Sequence, residues 1–224
     1  MTPFAAVTLD AMGTLVTIEP PAPRLQRSLA RHLGLTVDLA RCEGAMRVEM
    51  RHYRAHCTAA RDAPSLAALR LECASLLADA LALDVAGADV LSSLTDAISF
   101  RAFPDAAPAI ERLAGAGLRL AVIANWDVSL PEVLARLGLA EHLSAIVTAA
   151  EVGVAKPDPR PFRVALERLG VEPGQCLHVG DDPETDIAGA EAAGVVAVLL
   201  DRSGGTAGAL GDLSGLPELV GVAG

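Results

Sequence analysis

Asp10, Asn125, Lys156, Asp181 and Asp182 are the residues of this sequence best suited to chemistry, and each comes shortly after an apolar run. Asp10 closes the run 4–9, Asn125 follows 118–124, and Asp181 with Asp182 follows Cys176–Gly180. Lys156 lies in the loop 153–159, a few residues past Ala145–Thr148. If those runs are neighbouring strands of an open parallel sheet, their carboxyl ends share one edge, where such sheets bind ligands. Carboxylates brought together there repel one another unless a cation holds them, and ligands that hard favour Mg²⁺. Polar residues at strand ends also serve as helix caps; the meeting of carboxylates, an ammonium and an amide is what points to a site.

Lys156 is the only lysine among 18 basic residues, the other 17 being arginine. Arginine replaces lysine readily on a solvated surface. It does so poorly where a compact ammonium must fit between two oxyanions.

The elements that position these residues are legible from periodicity. Strand-like runs at 4–9, 118–124, Ala145–Thr148, Cys176–Gly180 and 195–200 alternate with helical patterns. Leu130, Val133, Leu134 and Leu137 share one helical face, as do Phe162, Ala165, Leu166 and Leu169. Pro131 and Gly138, then Pro161 and Gly170, bracket those helices in the expected order. Repeated strand–helix–strand units predict an α/β fold, a Rossmann-like parallel sheet with helices on both faces. Residues 19–100 break the rhythm. After the prolines at 20, 21 and 23, read as a linker, come helical segments near 25–33, 39–60, 66–83 and 88–98 with no strand between them. The expectation is a core made of residues 1–18 and 101–224, with 19–100 inserted as an all-helical cap over the end of the first strand. The Gly-rich tail from Ser203 reads as loop and a terminal turn.

Composition narrows the partners. The 224 residues are 52% hydrophobic and 21% charged, with a formal charge of −10. So acidic a chain lacks the basic footprint that nucleic acid or an anionic membrane requires. No apolar run approaches the ~20 residues of a membrane span. The start Met-Thr-Pro-Phe has neither a basic segment nor an apolar signal core. Cys42, Cys57, Cys73 and Cys176 show no CxxC spacing, as reduced thiols would. A cytoplasmic protein is expected.

With these residues in view, the chain resembles the haloacid dehalogenase-like hydrolase superfamily, in its subfamily with a helical (C1-type) cap. Residues 10–15 (Asp-Ala-Met-Gly-Thr-Leu) resemble the first motif and 122–125 (Val-Ile-Ala-Asn) the second. Residues 153–159, containing Lys156-Pro157-Asp158-Pro159, resemble the third; His178-Val179-Gly180-Asp181-Asp182 with Asp186 resembles the fourth. The resemblance implies that Asp10 is a nucleophile forming an aspartyl intermediate, and that Lys156 neutralises it and the transferred group. It implies Mg²⁺ held by Asp10, the backbone carbonyl of Met12 and Asp181, with Asp186 orienting that shell or starting a helical turn. Asp182, just before Pro183, reads more as a helix N-cap than as a ligand. Thr14 and Asn125 would offer hydrogen bonds to phosphoryl oxygens.

Two positions depart from the pattern. Phosphatases of the superfamily place a second Asp two residues after the nucleophile, to protonate the leaving group and activate water; here that residue is Met12. Such help is worth about 10²–10⁴-fold, so turnover of alkyl phosphates should be slow. The Ser or Thr of the second motif is Ala124. Superfamily dehalogenases carry an aromatic at the Met12 position and do not rely on a Gly-Asp-Asp fourth motif, which this chain keeps. Phosphonate-cleaving relatives need a cap lysine, and this cap has none. The expectation is a Mg²⁺-dependent phosphatase for a small phosphorylated metabolite. The alternatives are a catalytically impaired binding or regulatory protein and a 2-haloacid dehalogenase. Glu49, His52 and His56 have metal-ligand spacing on a cap helix, although a solvated face explains them too; Trp126 could line a cleft or fill the core.

Overall fold

Apolar runs buried on both faces, each followed by an amphipathic helix that covers it, close into a parallel sheet. The computed structural model describes residues 4–222; the Met-Thr-Pro start read above lies outside them. In chain order the first elements are β1 (Ala6–Leu9), β2 (Val16–Ile18), α1 (Pro21–Leu33), α2 (Leu39–His56), α3 (Ala63–Ala80), α4 (Gly87–Ala97) and β3 (Phe100–Ala102). There follow α5 (Ala106–Gly115), β4 (Arg119–Ala124), α6 (Leu130–Arg136), β5 (Ala145–Thr148), α7 (Ala149–Val152) and α8 (Arg160–Leu169). The last are β6 (Cys176–Gly180), a π-helical turn (Pro183–Ile187), α9 (Ala188–Ala192), β7 (Val196–Leu199) and α10 (Leu216–Leu219).

Five strands form one parallel sheet in the order β5-β4-β1-β6-β7. Leu9 lies opposite Val122 of β4 and Val179 of β6, and the Asp10 N–H extends that ladder to the Val179 carbonyl at 2.9 Å. This register brings the ends of β1, β4 and β6 level. One face packs on α8, where Phe162, Ala165, Leu166 and Leu169 meet Ile123, Val147 and Cys176. Phe162 is the largest side chain buried there, and truncating such a residue to Ala costs about 3–5 kcal/mol.

The chain divides into two compact units. One ends at Thr17 and resumes at Ala102; the other spans Ile18–Arg101. Within the second, α1 packs on α4, α4 on α3 and α3 on α2. Ser28 and His32 of α1 reach the Asp96 carboxylate of α4 at 3.0 and 2.9 Å. Of the prolines read as a linker, Pro20 is the N-cap of α1, and Pro21 and Pro23 lie in its first turn. A proline is tolerated there because those N–H groups have no intrahelical partner, and its fixed φ already suits a helix. The sequence reading also missed β2 and β3, which pair into a separate two-stranded sheet.

Candidate active site

The level strand ends bring Asp10, Lys156, Asp181 and Asp186 together. Lys156 Nζ donates to Asp10 Oδ1 at 2.6 Å, to Asp186 Oδ1 at 2.5 Å and to the Ile123 carbonyl at 2.7 Å. An ammonium has three hydrogens, so all are used. The Lys156 and Asp186 side chains are 1% and 2% exposed and that of Asp10 is 10% exposed, so the nucleophile candidate alone keeps some accessible surface.

Position 156 is set by its neighbours. Asn125, just past β4, donates Nδ2–H to the Lys156 carbonyl at 3.0 Å and accepts the Lys156 N–H on Oδ1 at 2.7 Å. Its carboxamide therefore grips the lysine's backbone, leaving one amide hydrogen for another acceptor. The peptide between Lys156 and Pro157 is cis.

Two glycines allow the carboxylates to approach. A Cβ on Gly13 would stand 2.1 Å from Asp181 Oδ2, and one on Gly180 would stand 2.3 Å from Asp186 Cγ. Gly13 also has φ +87°, which L side chains rarely adopt. Thr14 is wholly buried and its Oγ1 has no hydrogen-bond partner among the described residues. Asp182 caps the following turn, accepting the N–H groups of Glu184 and Thr185 at 2.8 and 2.9 Å. Asp186 does more than start that turn: besides Lys156 it accepts the Asp182 N–H on Oδ2 at 3.1 Å.

The electrostatics show a shortage of positive charge. Burial, reinforced by Asp186 and Asp181 and opposed by Lys156, pushes the Asp10 carboxyl up to about 7. Burial and Asp186 also raise Asp181. Burial works against charge on Lys156, but Asp10 and Asp186 outweigh it and hold the ammonium above the ordinary lysine value. Asp186 resists its burial through the His178 ring and Lys156 and stays below the usual carboxylate range. Carboxylate oxygens of Asp10, Asp181 and Asp186 lie within 4.8 Å of one another, a group that could hold a metal ion. Three carboxylates facing one ammonium, all with hard oxygen donors, fit a divalent cation.

Sequence reasoning did not foresee the role of His178. Completely buried, its Nδ1 lies 3.0 Å from Thr8 Oγ1 and its ring meets Phe162 edge-on at 4.9 Å. Nε2 sits 3.6 Å from Asp186 Oδ1, and burial keeps the imidazole's pKa below its ordinary value. Trp126 is buried. His52 and His56 stack at 4.1 Å, and His52 lies 3.4 Å from Glu72. Among the described residues they do not join Glu49 in a metal-holding group; the aspartate trio is the one such group.

The family model described as haloacid dehalogenase-like hydrolase matches residues 4–194. A phosphoserine phosphatase of Thermus thermophilus is 44% identical over 101 residues, covering 45% of this chain and 41% of that enzyme. The chain spans less than half the length of the first curated relatives it matches. Among solved structures, a HAD phosphatase from Thermococcus onnurineus superposes with a TM-score of 0.67 at 27% identity, covering 97% of this chain and 98% of that one. A 2-haloacid dehalogenase from Pseudomonas syringae pv. Tomato does so with the same score, identity and coverage. From a match that takes in β1, β4, β5 and β6 and all four polar strand ends, the chain belongs to the haloacid dehalogenase-like hydrolase family.

Proposed function

We propose that this protein is a Mg²⁺-dependent phosphatase that acts on a small phosphorylated metabolite through an aspartyl-phosphate. The observation that carries this reading is the Lys156 ammonium between Asp10 and Asp186, with Asp181 alongside. The name of the Thermus relative supports phosphate as the transferred group.

Bound Mg²⁺ would be held by Asp10, Asp181 and the Met12 carbonyl, supported by Asp186, and would supply positive charge to the phosphoryl oxygens. An Asp10 oxygen attacks phosphorus while the bond to the leaving oxygen breaks, that oxygen keeping the electron pair. Lys156 offsets the charge on Asp10 and the transferred group. Thr14 and the remaining Asn125 amide hydrogen are the donors assigned to phosphoryl oxygens. Met12 has no proton to give, so good leaving groups such as acyl or aryl oxyanions depart best. Water then attacks phosphorus and breaks its bond to Asp10, releasing phosphate and restoring the carboxylate. Residues 19–100 are assigned as a cap that limits water, since they are inserted just after the strand carrying Asp10. A cytoplasmic setting suits four cysteines that are all buried; among the described residues no helix is long and apolar enough to cross a membrane.

The test is hydrolysis of acetyl phosphate and an aryl phosphate with Mg²⁺, with Asp10→Asn as control. Turnover that disappears in the variant supports the reading. Equal rates in both would leave a binding or regulatory role instead. Met12 also favours a second reading, 2-haloacid dehalogenation, because a halide leaves as a stable anion and needs no proton. Chloride release from 2-chloropropionate without added metal would establish it in place of the first.

A further inference from the structure

Arg202 lies three residues beyond β7, and its guanidinium gathers segments far apart in sequence. Nε donates to the Gly13 carbonyl at 3.1 Å and Nη2 to the Thr14 carbonyl at 2.7 Å. Nη1 donates to Asp105 Oδ2 at 3.0 Å, and the guanidinium carbon lies 3.7 Å from the Phe103 ring centroid. The same Asp105 oxygen accepts the Leu213 N–H at 2.6 Å, and the Phe103 N–H donates to the Leu15 carbonyl at 3.0 Å.

Gly13 and Thr14 come just before the chain enters β2, and Phe103 and Asp105 come just after it leaves β3. Arg202 thus grips both sides of this excursion at once. In a trans peptide the N–H points opposite to the carbonyl, so the peptides aimed at Arg202 turn the Thr14 and Leu15 N–H groups away from it. The Leu15 N–H closes on the Ala11 carbonyl at 2.9 Å, next to Asp10. Gly13 itself packs against the Asp181 carboxylate. A surface arginine paired with one carboxylate contributes about 0–1 kcal/mol. This one uses its planar fork on two carbonyls and a carboxylate, which a lysine's single ammonium cannot reproduce.

We propose that Arg202 is a positioning residue for the reaction at Asp10: it fixes the turn after the nucleophile and ties that turn to the point where the chain rejoins the sheet. The inference rests on the phosphatase reading, and Arg202 itself touches neither Asp10 nor the reacting atoms.

Arg202→Ala and Arg202→Lys test it by hydrogen exchange and by kinetics on acetyl phosphate, after thermal unfolding confirms that each variant is folded; if the Ala variant is not, the Lys variant carries the test. Amides of residues 11–16 and of Phe103, Asp105 and Ala106 should exchange about tenfold faster or more in the variants, with β6 unchanged. kcat should fall about 10²-fold with KM changed less than about threefold, the mark of misplaced catalytic geometry. Millimolar guanidinium should restore part of the lost rate in the Ala variant, and the Lys variant should remain slow. Unchanged exchange overturns the proposal. So does faster exchange with unchanged kcat, because the contact then serves structure alone. A wild type that hydrolyses neither phosphate defeats the phosphatase reading, whereas an active wild type with equally active variants defeats only the role of Arg202.

Discussion

Lys156 Nζ and Asp186 Oδ1 lie 2.5 Å apart, both buried, in a contact made possible by the glycine at 180. Asp10 takes the same ammonium from another strand end. Removing one member of a buried pair leaves an uncompensated charge, which costs about 3–5 kcal/mol. Lys156→Met should therefore lower stability to urea by about 3 kcal/mol. It should also cut phosphatase turnover about 10²–10³-fold by removing charge from the transition state. Denaturation curves and rates on acetyl phosphate check the two separately, and a variant as stable as wild type would show that the pair is not balanced as described.

Met12→Asp should restore a proton donor next to the nucleophile. Met12 is partly exposed, so a carboxyl there can reach water and a leaving oxygen. Turnover of an alkyl phosphate such as glycerol phosphate should rise at least about tenfold, within the range that general acid–base help provides. Acetyl phosphate, with its better leaving group, should gain much less. The ratio of the two rates is the measurement; equal gains would contradict the missing-acid account.

Gly13→Ala should fail for two separable reasons. The positive φ costs about 1–3 kcal/mol in a residue with a Cβ, and that Cβ would meet Asp181 Oδ2 at 2.1 Å. Displacing Asp181 should cost about 10²-fold in rate. Gly34→Ala also sits at positive φ but has open space around its Cβ position. It should show the stability loss without the collapse in activity, as melting temperatures and kcat together would reveal.

Asp105 gives a pH signature away from the aspartate trio. Burial works against its ionisation, yet the Leu213 N–H and Arg202 outweigh it and hold the carboxyl below its ordinary 3.8. A folded pKa below the unfolded one stabilises the protein above the unfolded value, and that stabilisation disappears as pH falls through the folded value. The stability gap between wild type and Asp105→Asn should be full near neutral pH and should close as pH drops below about 4. Unfolding free energies measured across that range test the sign; a gap that widens in acid would reverse it.

Most of the sheet was legible because its strands are local signals. Ala145–Thr148 and Cys176–Gly180 match the structure to the residue, and the other core strands differ only at their ends. Val16–Ile18 and Phe100–Ala102 were not legible, since three residues carry no usable period and their partner lies far along the chain. Pro21 was misread because proline marks both a break and a helix start, and only its position relative to the first turn decides which. In the site, Asp10, Lys156 and Asp181 could be found from strand ends and residue type. The Asn125 grip on the Lys156 backbone, the Lys156–Asp186 contact and the Arg202–Gly13 bond span 31, 30 and 189 positions. Nothing local in the chain announces such pairings; they arise from sheet order and from glycines whose missing side chains let backbone and carboxylate meet.

The one lysine of this protein is 3% exposed, which leaves amine-directed acylating reagents no accessible lysine while the fold is closed. Acylation at that position therefore times the opening of the strand ends, and a mass increment of one label there serves as a chemical clock for unfolding that no other side chain of the same kind can blur.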